Sequence, residues 1–245
     1  MRRFIVIASI LLCSSLVAAY LLWPRPIAAD VLPEQQFSVD GIQRKYRVVL
    51  PHSLPSRAPV VLAFHGVGDS TELMAEYSRL DRLAASEGFL LVYLATHKSM
   101  WDTIDATNEN ILTNPDVLCV DELIEHLSEN YDIDRDRVYA LGMSNGASFA
   151  QLLAIARSEK IAAVVAHSGP RPRRLSALEN RFPIMLVVGA EDWAAPVLTE
   201  DAQLYRENGH EVELIAVSGL RHAWSRRHNE AMWAFLSQKS LITSH

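Results

Sequence analysis

Short apolar runs alternate with longer amphipathic segments along most of this chain. Residues 59–64 and 89–94 are apolar throughout, which is typical of strands buried on both faces of a sheet. Residues 71–87 between them have helical spacing, and the helix is predicted to stop at Gly88. Strands that alternate with helices favour an α/β fold, with a mostly parallel central sheet and helices on both faces.

The remaining segments extend this pattern in both directions. The chain opens with a predicted hairpin, in which Asp40 and Gly41 join strands at residues 37–39 and 44–50. A further helix is predicted over residues 115–131, with Asn114 as its cap and Pro115 at its first position. The other predicted strands are 138–141, 161–166, 184–189 and 212–217, and the other predicted helices are the one after Ser144, 196–208 and 229–238.

A serine stands between two glycines where a predicted strand meets a predicted helix. The sequence there is Gly142-Met143-Ser144-Asn145-Gly146, with an Ala- and Leu-rich helix former behind it. A strand-to-helix turn this tight has no room for a Cβ two residues to either side of its tip. The pattern therefore predicts a nucleophile elbow, with the hydroxyl of Ser144 exposed at the tip.

A serine hydroxyl needs a histidine base, and the sheet geometry separates the candidates. His222 follows the last predicted strand in a loop at the carboxyl edge of the sheet, the edge that also carries Ser144. His167 ends the strand after the elbow helix, where lining a pocket is expected of it. His210 lies at a turn, and His228 and His245 lie in or beyond the last helix. We therefore predict His222 as the base.

The acid that orients the base is expected after the strand at 184–189, because carboxyl ends of parallel strands share one edge. Glu191 and Asp192 both stand there, and position alone leaves the choice between them open. The loop after the strand at 59–64 is the expected oxyanion loop. The backbone N–H groups of Val67 and Asn145 are the predicted donors to the developing negative charge, and His65 is expected to brace the loop.

Composition and charge narrow the possible partners and cofactors. The chain has 245 residues and a formal net charge of −6, and an acidic surface repels phosphate, so we predict no nucleic-acid partner. Cys119 is the one cysteine after the N-terminal segment, and its apolar helical neighbours predict a buried thiol. No set of Cys and His has metal-ligand spacing, and we predict neither a metal nor another cofactor.

Residues 1–29 have the pattern of a targeting segment. Arg2 and Arg3 precede an uncharged apolar run over residues 4–23. Two interpretations stay open: a signal peptide cleaved after Ala29, or an uncleaved membrane anchor, since this run suffices to span a bilayer. Either way, the predicted catalytic domain of residues 30–245 lies outside the cytoplasm, and any contact with the membrane is through this segment.

Several motifs together resemble a known family of exported esterases. They are residues 46–51, 62–66, 116–121 and 132–147, the loop around Asp192, and residues 219–224. This set is similar to the polyhydroxybutyrate depolymerase-like esterases, a group that includes feruloyl and acetylxylan esterases, and the resemblance covers roughly residues 37–237. It implies an α/β-hydrolase fold and, because residues 189–196 match the family's acid loop, a catalytic triad of Ser144, Asp192 and His222.

The short connection at residues 167–183 indicates an open site without a lid or cap domain. Trp101, Trp193 and Trp224 are candidates for an aromatic wall around a bound substrate, although each could instead pack its own loop. Arg171, Arg173, Arg174 and Arg181 lie in that connection, either as a solvated surface run or as an attraction for an acidic substrate.

The first functional hypothesis is therefore a serine ester hydrolase. It would form an acyl-enzyme with short-chain or polymer-borne esters. Two alternatives remain: a peptidase of the same fold, for which no substrate-selecting domain is present, and a membrane-tethered binding module without catalysis. The second alternative would be expected to have lost Ser144 or His222, and both are present.

Overall fold

The computed structural model describes residues 26–175 and 180–241, which form one sheet with helices against both of its faces. The strands are β1 (Ala29–Val31), β2 (Gln35–Val39), β3 (Ile42–Pro51), β4 (Ala58–Phe64), β5 (Leu90–Leu94), β6 (Ile133–Met143), β7 (Ala163–His167), β8 (Ile184–Gly189) and β9 (Val212–Val217). The helices are α1 (Thr71–Ser78), α2 (Leu80–Glu87), α3 (Pro115–Asn130), α4 (Asn145–Ala156), α5 (Ala195–Glu207) and α6 (Asn229–Ser237).

The strand order places the functional loops at one edge of the sheet. The order is β1-β3-β5-β4-β6-β7-β8-β9, with β2 also paired to β3. Strands β4 to β9 are parallel to one another, whereas β1, β2 and β3 form an antiparallel margin that joins them where β3 pairs with β5. The loops after β4, β6, β8 and β9 therefore leave the sheet in the same direction and meet.

Alternate residues of β4 serve two separate cores. Leu62 and Phe64 pack in the apolar cluster that contains α3, α4 and α5, whereas Val61 and Ala63 pack in the one that contains α1, α2 and α6. Every residue of this strand is buried. A strand covered on both faces has no need of polar positions, which explains the uninterrupted apolar run in the sequence.

Two elements differ from the sequence-based expectation. The single helix predicted over residues 71–87 is wrong, because the chain breaks it at Arg79, which has left-handed backbone angles (φ 60°, ψ 24°). The backbone N–H of Arg79 donates to the carbonyl of Ala75 (3.0 Å), which caps α1 before α2 begins. The other difference is the three-residue strand β1, which was not predicted.

The N-terminal targeting segment predicted from the sequence lies mostly outside the described residues. Ala29, its last residue, is already part of β1 and pairs with Pro51. In residues 26–175 and 180–241, no helix combines the length and the apolar character that crossing a bilayer requires.

The connection between β7 and β8 adds no cover to the carboxyl edge of the sheet within its described residues. Residues 168–175 and 180–183 contain neither helix nor strand. At this edge, Val67 in the loop after β4 and Trp193 in the loop after β8 are 55% and 65% exposed.

Candidate active site

Ser144 lies at the tip of a strained turn between β6 and α4. Its backbone angles (φ 55°, ψ −121°) fall in a region that costs a residue with a Cβ about 1–3 kcal/mol. Two hydrogen bonds hold the turn: the N–H of Ser144 donates to the carbonyl of His167 (2.8 Å), and its own carbonyl accepts from the N–H of Ala147 (3.0 Å). The side chain is thereby presented at the carboxyl edge of the sheet.

Close backbone contacts require glycine at three positions around this turn. A Cβ on Gly142 would lie 2.2 Å from the carbonyl oxygen of Gly146, and one on Gly146 would lie 2.1 Å from that of Phe64. A Cβ on Gly169 would lie 2.0 Å from the carbonyl oxygen of Ser144. The two glycines of the sequence motif thus have the steric role predicted for them, and Gly169 is a third that the motif does not include.

A continuous hydrogen-bonded chain joins Ser144, His222 and Asp192. The Nε2 atom of His222 is 3.0 Å from the hydroxyl oxygen of Ser144, and its Nδ1 is 2.9 Å from Oδ2 and 3.1 Å from Oδ1 of Asp192. The carboxylate accepts a hydrogen bond from the Nδ1–H group, so the proton stays on Nδ1 and Nε2 is free to accept the hydroxyl proton of Ser144. The Asp192 side chain is fully buried, whereas that of His222 is 32% exposed toward the groove.

The structure separates the two acid candidates that position alone left open. Asp192 contacts His222, and its Oδ1 also accepts from the N–H of Ala194 (3.0 Å). Glu191 is exposed, and its backbone N–H donates to the carbonyl of Leu220 (3.0 Å). The carboxylate in contact with the histidine is that of Asp192.

Another close approach fastens the acid loop to the histidine loop. A Cβ on Gly189 would lie 2.1 Å from the carbonyl oxygen of Leu220 and 2.6 Å from that of Arg221. Only a glycine at the end of β8 lets the two chains pass at this distance. The separation of Asp192 and His222 is therefore set by backbone packing as well as by their own hydrogen bonds.

The loop after β4 brings Val67 beside Ser144, and buried contacts of His65 brace it. The Nδ1–H of His65 donates to the carbonyl of Gly66 (2.8 Å), and the indole N–H of Trp101 donates to the carbonyl of His65 (2.9 Å). Burial is the largest cause of a lowered pKa at His65, so its ring is neutral. These contacts agree with the bracing role expected for His65, while Val67 lines the pocket that also contains Ser144.

The second predicted oxyanion residue, Asn145, is tied down by its side chain. Its Oδ1 accepts from the N–H of Trp101 (2.7 Å), and its Nδ2 donates to Oγ1 of Thr103 (2.9 Å). As the first residue of α4, it has a backbone N–H with no carbonyl one turn earlier in the helix. Both predicted donors thus lie on chain segments that other contacts hold in place.

The loop that holds Asn145 is itself anchored by a buried ion pair. Asp116 at the start of α3 accepts from Nη1 of Arg44 (2.8 Å) and from the N–H of Asp102 (2.8 Å). The Arg44 and Asp116 side chains are each 1% exposed. The antiparallel margin of the sheet is in this way connected to the loop that contacts the nucleophile turn.

The prediction that Trp101 lines the groove is wrong. Trp101 is fully buried, and its ring stacks on Phe149 at a centroid distance of 4.6 Å. Its position is explained by its indole N–H, which finds a buried carbonyl acceptor, while the ring fills the core below the nucleophile turn. By contrast, Trp193 is 65% exposed and stacks on the ring of His222 at 5.5 Å. Trp224 is only 8% exposed, and it lines a pocket that also contains Ser144.

Two pockets of about 390 Å³ each meet at Ser144. The first is mainly apolar, with Leu73, Tyr77, Met143 and Trp224 in its wall. Sequence reasoning missed Leu73 and Tyr77, since their spacing on α1 fits a core-facing helix equally well. The second pocket is lined by Thr103, Ile104, Arg171, Arg173, Arg174 and Trp193, among others. A groove with the serine at its centre has room for a substituent on either side of a bound carbonyl.

His167 supports the loop that carries His222. Its Nε2 accepts from the N–H of Ser225 (3.0 Å), so its Nδ1 carries the proton and donates to Oγ of Ser168 (3.1 Å). The ring is fully buried and stacks on Trp224 at 4.9 Å. Burial lowers the pKa of His167 to about 3. It was expected to line a pocket, and its contacts are instead those of an internal support.

The described residues contain one free cysteine and no cluster of metal-ligand type. Cys119 is buried in α3, and burial raises the pKa of its thiol to about 12, which disfavours the thiolate needed for a nucleophile or a metal ligand. Within residues 26–175 and 180–241, no three or more His, Cys, Asp and Glu side chains are grouped so that they could hold a metal ion.

Comparison with known proteins finds similarity to esterases. The family model described as Esterase PHB depolymerase matches residues 45–189. A bifunctional acetylxylan esterase/xylanase, XynS20E, from Neocallimastix patriciarum is 31% identical over 62% of this chain and 22% of its own length. Feruloyl esterase B from Thermothelomyces thermophilus is 26% identical over 58% of this chain and 50% of its own length. The chain therefore spans about half or less of the curated relatives described.

A solved arylesterase structure shares the fold. It superposes with a TM-score of 0.70 at 15% identity, covering 88% of this chain and 87% of the arylesterase chain. Together with the mostly parallel sheet, this likeness confirms the predicted α/β-hydrolase fold.

Because the buried His167 ring must stay neutral to accept from Ser225, the free energy of unfolding is predicted to depend on pH. Because the folded-state pKa of about 3 lies below the ordinary value of 6.5, its contribution is complete above pH 6.5 and is lost as the pH falls toward 3. The stability advantage over His167→Phe, measured by urea unfolding, should shrink by up to about 2 kcal/mol between pH 8 and pH 5. An advantage of His167 that stays constant between these pH values would contradict this role.

Proposed function

The chain belongs to the Esterase PHB depolymerase family, and we propose that it is a serine carboxylic-ester hydrolase that works through an acyl-enzyme. The observation that supports this most is the hydrogen-bonded chain from Ser144 through His222 to Asp192, with distances of 3.0 and 2.9 Å. A buried carboxylate behind the histidine fixes its tautomer and stabilises the imidazolium that forms when the serine is deprotonated. The second proposed element is the pair of backbone N–H groups beside the serine, at Val67 and Asn145.

In the proposed acylation, Oγ of Ser144 attacks the ester carbonyl carbon while its proton passes to Nε2 of His222. The carbonyl oxygen becomes an oxyanion and accepts hydrogen bonds from the N–H groups of Val67 and Asn145. Collapse of this intermediate breaks the bond to the alcohol oxygen, which takes the proton from Nε2 as it leaves. Ser144 is then acylated, and His222 is again neutral.

In the proposed deacylation, water replaces the alcohol. Its proton passes to Nε2 of His222 while its oxygen attacks the acyl carbon, and the second oxyanion uses the same two N–H donors. Collapse returns the proton to Oγ of Ser144 and releases the carboxylic acid. The exposed position of the His222 ring gives water direct access to the base.

The substrates we propose are esters of short acyl groups, either soluble or attached to a polymer. The described part of the β7–β8 connection leaves the groove uncovered, which suits an ester attached to a bulky chain. Relatives named as an acetylxylan esterase/xylanase and as a feruloyl esterase support an ester attached to carbohydrate. Trp193 and Trp224, on opposite sides of Ser144, are the aromatic surfaces proposed to contact substrate.

We further propose that the protein is exported by residues 1–29 and acts in the periplasm or outside the cell. Arg2 and Arg3 followed by the uncharged run of residues 4–23 support this. Cleavage after Ala29 would remove Ala28, whose carbonyl accepts from the N–H of His52 (3.0 Å). N-terminal sequencing of the exported protein distinguishes a cleaved signal peptide from a membrane anchor.

Replacing the proposed nucleophile should abolish turnover. Ser144→Ala is expected to lower kcat for p-nitrophenyl acetate by at least about a thousandfold, because removal of a triad member leaves only oxyanion stabilisation and binding. The melting temperature should stay close to that of the wild type. Ser86→Ala, on the exposed side of α2, is the matched control and should keep full activity. A Ser144→Ala enzyme that kept more than roughly a tenth of the activity would exclude this nucleophile.

The two neighbouring carboxylates should differ sharply in their effect on catalysis. Asp192→Asn is expected to lower kcat by about a thousandfold or more, since an amide donates to Nδ1 and favours the wrong tautomer of His222. Glu191→Gln should stay within about twofold of the wild type, because exposed charges away from the base contribute little. Measured kcat values ranked in the opposite order would assign the acid to Glu191.

Activity should depend on acyl length in the manner of an open groove. Each methylene gains about 0.8 kcal/mol only while it is removed from water, and Tyr77 and Trp224 wall the apolar pocket beside the serine. In a p-nitrophenyl ester series, kcat/KM should be highest from acetyl to butyryl and should fall by octanoyl. The rate should also show no jump when the substrate forms micelles. An increase through dodecanoyl would point instead to a covered lipase site, and cleavage of a peptide p-nitroanilide alone would point to the peptidase.

A further inference from the structure

The pocket next to Trp193 differs in charge from the pocket on the other side of Ser144. Among the described residues, its lining includes Arg171, Arg173 and Arg174 and contains no carboxylate. The lining of the apolar pocket contains the carboxylate Asp69 and no Arg or Lys. The whole chain has a net charge of −6, so a generally basic surface does not explain why three arginines line one pocket.

A buried carboxylate fixes the loop that carries these arginines. Asp201 on α5 is 1% exposed; its Oδ2 accepts from the backbone N–H of Arg171 (2.9 Å), and its Oδ1 lies 3.4 Å from Nη1 of Arg173. The Arg171 guanidinium turns inward and donates to the carbonyl of Pro172 (3.2 Å). Asp201 and Arg171 therefore shape the loop, and they direct the next two arginines to the rim of the pocket.

The guanidinium groups of Arg173 and Arg174 are accessible to a ligand. Their side chains are 53% and 60% exposed. Arg174 pairs with Asp105 at 3.1 Å, but the Asp105 side chain is itself 77% exposed, and such exposed pairs are weak. Another carboxylate can replace Asp105 at little cost, and two neighbouring arginines offer it several planar N–H donors.

We propose that this pocket binds a carboxylate group carried by the substrate, so that the preferred esters are acidic. This inference rests on the proposed ester hydrolase function. Ser144 belongs to the wall of the same pocket, so a carboxylate a few bonds from the reacting carbonyl reaches Arg173 and Arg174. The exposed face of Trp193 lies beside them and suits a sugar or aromatic ring between the two groups. Half-esters of dicarboxylic acids and esters of hydroxy or sugar acids share this chemistry.

Two matched substrate pairs test the proposal and distinguish the side that carries the charge. Mono-p-nitrophenyl adipate and p-nitrophenyl adipamate differ only by a carboxylate or an amide on the acyl side. The acetyl esters of 4-hydroxyphenylacetate and of 4-hydroxyphenylacetamide differ in the same way on the alcohol side. In at least one pair, kcat/KM of the wild type should favour the acidic ester about fivefold at an ionic strength of about 0.01 M, and the ratio should approach one at about 0.5 M.

The ratio within a pair is the readout, so a general change in activity cancels. The double variant Arg173→Gln/Arg174→Gln should bring the ratio to about one. Arg135→Gln/Arg206→Gln loses the same charge at exposed positions that do not line the pocket, and it should keep the wild-type ratio. A ratio near one in both pairs for the wild type, or an equal fall in both double variants, would overturn the proposal. Failure to hydrolyse any of the four esters would instead overturn the ester hydrolase function, and this inference with it.

Discussion

The structure depends on how closely the backbone packs around the turn that carries Ser144. Gly142, Gly146 and Gly169 each lie against a carbonyl oxygen at a distance that no Cβ could occupy. These contacts press the start of α4 onto β4 and onto the chain after β7, and they hold Ser144 at a strained φ of 55°. The cost of that strain is offset by burial, since α4 lies almost entirely in the core. These contacts therefore fix the positions of the loops after β4 and β7.

Support for the site extends from this turn through buried polar contacts. His167 accepts from the loop of His222, and Asp116 holds the loop whose Trp101 contacts Asn145. Each contact joins a loop at the carboxyl edge to an element packed in the core. Breaking such a hydrogen bond is strongly destabilising, because the remaining buried donor or acceptor would have neither a protein partner nor water. The groups proposed to react are thus positioned by residues that do not touch the substrate.

Much of the fold could be predicted from the sequence, because strands buried on both faces and capped helices leave clear local patterns. The break in the helix at Arg79 could not be predicted, since an arginine gives no local signal for left-handed backbone angles. That Ser144, His222 and the acid loop would lie close together followed from the rule that parallel strands end at one edge of a sheet, whereas the preference for Asp192 over Glu191 came from the family resemblance. The burial of Trp101 could not be predicted, because a tryptophan suits a core as well as a groove. The buried acceptor for its indole N–H, the carbonyl of His65, is visible only in the folded structure. The need for glycine at positions 169 and 189 was not predicted either, because the carbonyl oxygens that these two residues approach are distant in the sequence.

The position of Ser144 in the walls of two different pockets has a consequence for how this protein could diversify. The residues distinctive of the apolar pocket come mainly from the loop after β4, from α1 and from the loop after β9, whereas those of the other pocket come mainly from the chain after β5 and the chain after β7. No residue of α1 belongs to the arginine-lined pocket, so the two groups of residues can be substituted independently. For the proposed ester hydrolase, preference for one side of the ester bond could therefore be redesigned, or drift during evolution, without altering recognition of the other side.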